Sequence, residues 1–148
     1  MFLTNTWYHV AVTYDGTLAS AGRVHVYVNG VLDKTAGETS ASIPNYASDL
    51  AFGKLVGNPT SYFAGSLGDV RIYNRALSAA EVSDLYTATT LPPAPSPVTP
   101  TGNGVAYWKF DEGSGTTAAD SSGSGNTGTV NGPSWTSGEI GVPSILMG

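Results

Sequence analysis

The chain has 148 residues, enough for one domain with a sizeable core and hardly for two. Charged residues make up only 11% and glycines number 19, which argues against a helical protein with charged outer faces. The net charge of −5 without a basic cluster argues against nucleic acid as a partner. The sequence contains no cysteine, so disulfides and thiolate metal sites are excluded, and no apolar run is long enough for membrane insertion.

The first half of the chain has the pattern of antiparallel strands. Residues 7–14 and 23–28 alternate, and we expect one face of this pair to point into the core, namely Tyr8, Val10, Val12, Tyr14, Val24, Val26 and Val28. His25 and Tyr27 are then expected to face out. Asn29-Gly30 predicts a type I′ hairpin turn, because both central positions of that turn need a positive φ. Residues 50–55 and 66–73 are further strand candidates.

A helix signal and a linker follow. Ser78 and Glu81 form a capping box, which predicts one short helix over residues 78–86, packed on the flank of the sheet. Residues 87–103 are rich in proline and predict a semi-rigid linker. Residues 104–148 begin a new unit, with strands predicted at 105–110 and around 129–130.

Several stretches carry a resemblance to a known family. They are residues 7–16 (WYHVAVTYDG), 26–31 (VYVNGV) and 68–78 (GDVRIYNRALS), then 107–115 (YWKFDEGSG) with 119–123 (ADSSG) and 125–126 (GN). These resemble the laminin-G-like, concanavalin A-like jelly-roll modules of large exported bacterial proteins. The stretch 68–78 looks like the closing signature of such a module, and 107–126 looks like the opening signature.

The closing signature precedes the opening one. The resemblance therefore implies a junction between tandem modules: residues 1–86 would be the C-terminal half of one module, 87–103 the linker, and 104–148 the N-terminal part of the next. We expect an all-β, concanavalin A-like jelly-roll sandwich, partial or permuted, with one short helix. The resemblance also implies a secreted or cell-surface location, with any signal peptide outside this chain.

Catalysis is the least favoured function. Glucanases of the superfamily carry closely spaced acidic residues on one strand, since acid and nucleophile must flank one glycosidic bond. The only adjacent acidic pair here is Asp111-Glu112, and neighbouring residues on a strand point to opposite faces. We therefore predict a surface turn at this pair and no enzyme.

A structural calcium ion is one candidate ligand that the resemblance implies. Asp69, Asp120 and Asn126 are the candidate metal residues, because hard cations prefer carboxylate and amide oxygens. The alternative is that Asp120 caps a local turn and that Asp69 pairs with Arg71 or Arg75.

A glycan or a surface protein is the other candidate ligand. Trp7, His9, His25 and Tyr27 are the candidate binding residues, since they would lie on the face away from the valines. The alternative is that Trp7 fills the sandwich edge and that the other three are ordinary solvent-facing residues. We expect a non-catalytic interaction module, and a purely structural spacer is the competing interpretation.

Two expectations concern the assembly of the two halves. The segment 105–110 is predicted to pair antiparallel with residues 67–73 and to cover an edge that would otherwise be open. Without the family's middle strands, the valine face should lack part of its opposing layer. We therefore expect marginal stability or self-association through open strand edges.

The end of the sequence departs from the resemblance after Ile140-Gly141. The resemblance implies a continuation of Gly-Ala-Leu, a variable residue, Phe or Leu, then Asp-Gly, whereas residues 142–148 read VPSILMG. One codon string for Gly-Ala-Leu-His-Leu-Asp-Gly, read one base later, encodes these residues. The hypothesis is an out-of-frame tail over 141–148 with no structural role, and an internal start at Met1. The alternative is an authentic C-terminus that happens to translate this way. Sequencing the gene with its flanks tests it, and absence of the Asp-Gly codons from the next frame would refute it.

Overall fold

The computed structural model describes residues 2–44, 49–54, 57, 60–90, 104–136 and 145–147. Within these ranges the chain is built from short antiparallel strands and one α-helix, so the all-β class with a single helix is confirmed. The elements in chain order are β1 (Thr6–Tyr8), β2 (Val10–Tyr14), β3 (Val24–Val28), β4 (Val31–Ala36), β5 (Gly65–Leu67), β6 (Val70–Tyr73), α1 (Ala79–Thr90), β7 (Gly104–Trp108), β8 (Thr117–Ala118), β9 (Gly128–Thr129) and β10 (Ile145–Met147).

Strands β2, β3 and β4 form a meander in sequence order. The turn between β3 and β4 has φ values of 50° at Asn29 and 76° at Gly30, which confirms the predicted turn with positive φ at both central positions. A Cβ on Gly30 would lie 3.1 Å from the Tyr86 side chain. Glycine is therefore required here both by the backbone conformation and by the close approach of α1.

The single strand predicted over residues 7–14 is divided at His9. The His9 amide donates to the Asn29 side chain at 3.0 Å, and the Asn29 amide donates to the His9 carbonyl at 2.8 Å. Before His9 in the chain, β1 does not belong to the meander but pairs in a different sheet, ordered β1-β10-β5. His9 thus marks the crossing between two sheets.

The C-terminal tail corrects an expectation. Ile145–Met147 form β10, the central strand between β1 and β5, with Trp7 opposite Leu146 and Leu146 opposite Ser66. The prediction that the tail has no structural role is therefore wrong for these three residues. Residues 137–144 and 148 lie outside the described ranges. The physical reason is that β1 and β5 have backbone groups that need partners, and the β-branched residue Ile145 favours a strand. The out-of-frame origin stays a hypothesis.

The predicted pairing of the two halves is confirmed. Strand β6 pairs antiparallel with β7, placing Val70 opposite Trp108 and Ile72 opposite Ala106. The strand predicted over 66–73 is interrupted at Asp69, whose φ of 51° separates β5 from β6. The strand predicted over 105–110 runs from Gly104 to Trp108.

Helix α1 begins as the capping box predicts. The Glu81 amide donates to the Ser78 hydroxyl at 3.3 Å, and the Ser78 amide donates to the Glu81 carboxylate at 2.8 Å. Arg75 adds a salt bridge to Glu81 at 2.6 Å, and these hydrogen bonds, from Arg75 first and then from Ser78, lower the pKa of Glu81 to about 2. The helix continues to Thr90, into the first residues assigned by composition to the linker.

The helix reverses the predicted orientation of the meander. Tyr27, expected to face out, is 5% exposed and packs with Leu77, Val82 and Leu85 in the first core cluster. Val12, expected to face in, is 64% exposed. Alternation predicts that two faces differ, but the element that packs against the sheet decides which face is covered. The valine face is thus incompletely covered, as the missing opposing layer led us to expect.

A second core cluster lies on the other face of β6. Ala106, Trp108 and Ala118 are its buried residues, and Val70, Ile72, Phe110 and Val130 pack against them. Trp108 also makes an edge contact with Phe52, with ring centroids 5.2 Å apart. The predicted strand over 50–55 is reduced in the described residues to a single bridge between Lys54 and Tyr62, and the short strand β8 was not predicted.

The two valines Val82 and Val12 test this distribution of the core. Val82 is fully buried, so Val82→Ala should lower the free energy of unfolding by about 2–3 kcal/mol through lost burial and a cavity. The matched substitution Val12→Ala, on the exposed face, should cost less than about 0.5 kcal/mol. Urea denaturation of both variants measures the difference, and equal losses would show that the valine face is covered in solution.

Candidate functional site

The main polar feature of the fold is a half-buried group of side chains around Arg71. The Arg71 guanidinium donates to both carboxylate oxygens of Asp69, at 2.6 and 2.9 Å, and to the Tyr107 hydroxyl at 3.2 Å. That hydroxyl donates to Asp69 at 3.0 Å, and the guanidinium lies 4.4 Å from the centre of the Tyr107 ring. We call these three residues, together with His9 and Tyr73, the Arg71 cluster.

Strand alternation explains why this group forms. Val70 and Ile72 point to the second core cluster, so Arg71 and Tyr73 point to the opposite face of β6. Tyr107 is directly opposite Arg71 in the pairing of β6 with β7, which brings the ring under the guanidinium. The positive φ at Asp69 directs its carboxylate towards Arg71, two residues further along the chain.

Burial and the ion pair set the charge states of the cluster. Burial alone would lower the pKa of Arg71, but hydrogen bonds and attraction to Asp69 outweigh it and raise that pKa above its usual range. The pKa of His9 is lowered, first by burial and then by repulsion from Arg71, so the ring is neutral near pH 7. Burial also raises the pKa values of Tyr73 and Tyr107, which therefore keep their protons.

Among the residues that the structure describes, three atoms of the cluster lack a hydrogen-bond partner with good geometry, although Arg71 lies close enough to the Tyr73 hydroxyl to lower the pKa of Tyr73 against the effect of burial. They are the His9 Nδ1, the Arg71 Nη1 and the Tyr73 hydroxyl, all buried. An unpaired buried polar group costs about 1–3 kcal/mol, so native folds keep few of them. The ring of Tyr86 lies beside His9, with centroids 5.9 Å apart. The cluster thus combines unsatisfied hydrogen-bonding atoms with adjacent aromatic rings.

The predicted ligand-binding residues are only partly brought together. His9 belongs to the Arg71 cluster, and Trp7 is half-buried on the neighbouring strand β1. His25 is half-buried on β3, with its ring 6.4 Å from that of Tyr27. Tyr27 itself is covered by α1, so it does not offer an exposed ring; this corrects the expectation that it faces solvent.

The predicted metal residues Asp69 and Asp120 are held by different sets of hydrogen bonds, which share only Tyr107. Asp69 is held by Arg71 and Tyr107, whereas the Asp120 carboxylate accepts backbone amides of Tyr107, Ser122 and Asn126 at 2.8–3.0 Å. The Asn126 side chain donates to the Val105 carbonyl at 2.9 Å. Tyr107 separates the two carboxylates, since its amide binds Asp120 and its hydroxyl binds Asp69.

Calcium at these residues stays a prediction. Both carboxylates are already neutralised or hydrogen-bonded by groups of the protein, so a cation would have to displace them. In the part of the chain that the structure describes, no group of three or more His, Cys, Asp or Glu residues could hold a metal ion.

The acidic pair has a structural role at one of its members. Glu112 accepts a hydrogen bond from the Ala119 amide at 2.7 Å and is half-buried, whereas Asp111 is exposed.

Arg71, Tyr73 and Tyr107 were not predicted from the sequence as site residues, although Arg71 was named as a partner of Asp69. The signal in the sequence that could have indicated this site is Arg71, an arginine within the otherwise apolar strand β6.

The fold is that of a β-rich domain in which short antiparallel strands and one helix surround two small cores. A laminin-G-type family of the concanavalin A-like lectin/glucanases superfamily matches residues 1–83, more than half of the chain. The chain therefore belongs to this family. No curated protein and no solved structure matches it.

Membership gives a general function. Domains of this family are generally non-catalytic modules that bind carbohydrate or protein, and they are typically extracellular. In the described ranges, no helix has the length and apolarity needed to cross a membrane.

The Asp120 network predicts a defined pH dependence. Hydrogen bonds from Ser122, then from the Tyr107 and Asn126 amides, hold the pKa of Asp120 well below its ordinary value of 3.8. A lowered folded-state pKa means that the carboxylate stabilises the fold above its ordinary pKa, and that this contribution is lost as the pH falls below it. Asp120→Asn, which turns an amide donor towards one of these N–H groups, should lower the urea midpoint at neutral pH.

The difference between the wild type and Asp120→Asn should shrink as the pH falls from about 6 to about 2.5. Asp111→Asn, at an exposed position, is the control and should follow the wild type throughout. A difference between wild type and Asp120→Asn that stays constant over this pH range would show that the carboxylate charge is not what the network uses.

Proposed function

We propose that this chain is a non-catalytic binding module of an exported multi-module protein, and that its ligand is a hydroxyl-rich glycan held at the Arg71 cluster. The observation that carries the proposal is that three buried polar atoms beside aromatic rings lack a partner with good hydrogen-bond geometry among the described residues. Family membership supports the general class of carbohydrate or protein binding.

Sugar hydroxyls match the chemistry of the three atoms. The Arg71 Nη1 donates, the Tyr73 hydroxyl donates or accepts, and the His9 Nδ1 accepts when its proton is on Nε2. A hydroxyl can both donate and accept, so one sugar ring could satisfy groups of both kinds. Neutral His9 suits an uncharged ligand, because a protonated ring beside Arg71 would favour an anion instead.

Access to the cluster requires a movement of side chains. The three atoms are closed to solvent in the free protein, and the Arg71 and Asp69 side chains are only 11% and 14% exposed. A glycan could therefore reach them only if a covering side chain moves. Binding would then relieve an existing cost of unpaired groups, which favours the bound state.

A purely structural spacer is the second candidate. The pairing of β6 with β7 favours it, because this contact joins residues on either side of the proline-rich segment into one body. In that interpretation the Arg71 cluster serves only to hold β6 against β7, and no ligand binds.

Binding of the full chain to a glycan array separates the two candidates. Tyr73→Phe removes one of these buried hydroxyls, so it should change stability little while weakening glycan binding about tenfold. His9→Gln should also weaken binding. Tyr14→Phe is the matched control, since its hydroxyl bonds to the Ser40 carbonyl away from the cluster. An array without any bound glycan would favour the spacer, and binding unaffected by Tyr73→Phe would place the ligand elsewhere.

A further inference from the structure

Three Asn-Gly steps occur in the sequence, at residues 29–30, 103–104 and 131–132. Asparagine is a thermolabile residue, and a following glycine leaves its own backbone nitrogen unshielded because it has no Cβ. That nitrogen can then attack the Cγ carbon of the asparagine side chain. Residue 103 lies outside the described ranges, so the structure allows a comparison of the other two steps. These share one dipeptide, and a difference between them comes from their surroundings in the fold.

The fold holds the Asn29-Gly30 step on both sides. The Asn29 side-chain oxygen accepts a hydrogen bond from the His9 amide at 3.0 Å, and the Asn29 amide donates to the His9 carbonyl at 2.8 Å. Tyr86 of α1 covers the glycine, since a Cβ on Gly30 would lie 3.1 Å from that side chain. Bringing the Gly30 nitrogen to the Asn29 Cγ carbon requires both residues to rotate, and these contacts oppose the rotation.

The Asn131-Gly132 step lies on the surface, shortly after β9. Both residues are exposed. Apart from the two neighbouring residues, no described atom would lie within 4 Å of a Cβ on Gly132. The rotation that brings the Gly132 nitrogen to the Asn131 Cγ carbon therefore meets less resistance than the same rotation at Asn29.

We propose that Asn131 undergoes spontaneous deamidation in the folded protein, and that the contacts with His9 and Tyr86 protect Asn29 from the same reaction. Hydroxide removes the proton of the Gly132 amide, and the nitrogen forms a bond with the Asn131 Cγ carbon. The bond from Cγ to the side-chain nitrogen breaks, and this nitrogen takes up a proton from water and leaves as ammonia. Water then hydrolyses the cyclic imide at either carbonyl, which leaves aspartate or isoaspartate at position 131. The net reaction consumes one water and releases one ammonia, without oxidation or reduction.

The product differs from the starting chain in charge and in main-chain length. The new carboxylate adds one negative charge to the net charge of −5. Isoaspartate also adds one main-chain carbon between Asn131 and the next residue, close to Val130, whose amide donates to the Thr116 carbonyl at 2.9 Å. Further on, the Trp135 indole donates to the Gly115 carbonyl at 2.7 Å. The lengthened segment therefore lies between two attachments to one loop.

Peptide mapping of the full chain by mass spectrometry tests the proposal. The chain is kept for days in mildly alkaline buffer, with and without urea, and conversion of amide to carboxylate is measured at both asparagines. The folded chain should convert Asn131 about tenfold faster than Asn29, because breaking the Asn29 hydrogen bonds raises the barrier at that site. In urea the two rates should become similar, since only the shared dipeptide remains. Equal rates in the folded chain, or a folded chain in which Asn131 does not convert, would overturn the proposal.

Two variants, measured in the same way, separate the surroundings from the dipeptide. Tyr86→Ala uncovers Gly30 and should raise the rate at Asn29 relative to Asn131, which serves as the reference within the same molecule. Asn131→Gln lengthens the side chain by one carbon, so that a larger ring would have to form, and conversion at position 131 should become much slower. An unchanged ratio in a folded Tyr86→Ala chain would overturn the protection assigned to α1, and conversion of Asn131→Gln at the wild-type rate would overturn the cyclic route. If Tyr86→Ala fails to fold, the comparison of the natural chain with and without urea decides.

Discussion

The structure depends on the pairing of β6 with β7. Alternation along β6 sends Val70 and Ile72 into one core and Arg71 and Tyr73 towards the other, so the strand is shared by both. Tyr107 lies opposite Arg71, and its hydroxyl donates a hydrogen bond to Asp69, the partner of Arg71 in the ion pair. Separating β7 from β6 would expose the second core and leave Arg71 and Asp69 without their third partner. The ion pair itself would remain, but its members would lose their hydrogen bonds to the Tyr107 hydroxyl, and a half-buried polar group left without a partner is destabilising.

The same arrangement explains what the fold leaves incomplete. One face of the meander is covered by α1, through Tyr27, Leu77, Val82 and Leu85, whereas Val12 on the other face is 64% exposed. In a two-layer sandwich an opposing sheet would cover the Val12 face, in addition to the face that α1 covers here. The buried atoms of the Arg71 cluster that lack a good hydrogen bond among the described residues are a second incomplete feature. Together with the exposed Val12 they favour marginal stability or a bound partner.

Much of the local structure could be predicted from the sequence, because it depends on neighbouring residues. The Asn29-Gly30 turn and the Ser78–Glu81 capping box are examples, and the pairing of the two halves followed from the family resemblance. The covered face of the meander could not be predicted, since a distant helix decides it and Tyr27 is compatible with either face. The position of β10 depends on two strands far away in sequence. For the site, His9 and Asp69 were named in advance, but the convergence of Arg71, Tyr73 and Tyr107 requires the register of β6 with β7.

Hydrogen exchange of the full chain, followed by mass spectrometry, tests most directly whether the β6–β7 pairing unites the molecule. If it does, peptides covering β6, β7 and α1 should exchange through one global opening, with free energies equal within about 1 kcal/mol. A β7 peptide that exchanges rapidly while those of β3 and α1 remain protected would contradict this account, because the two cores would then open independently.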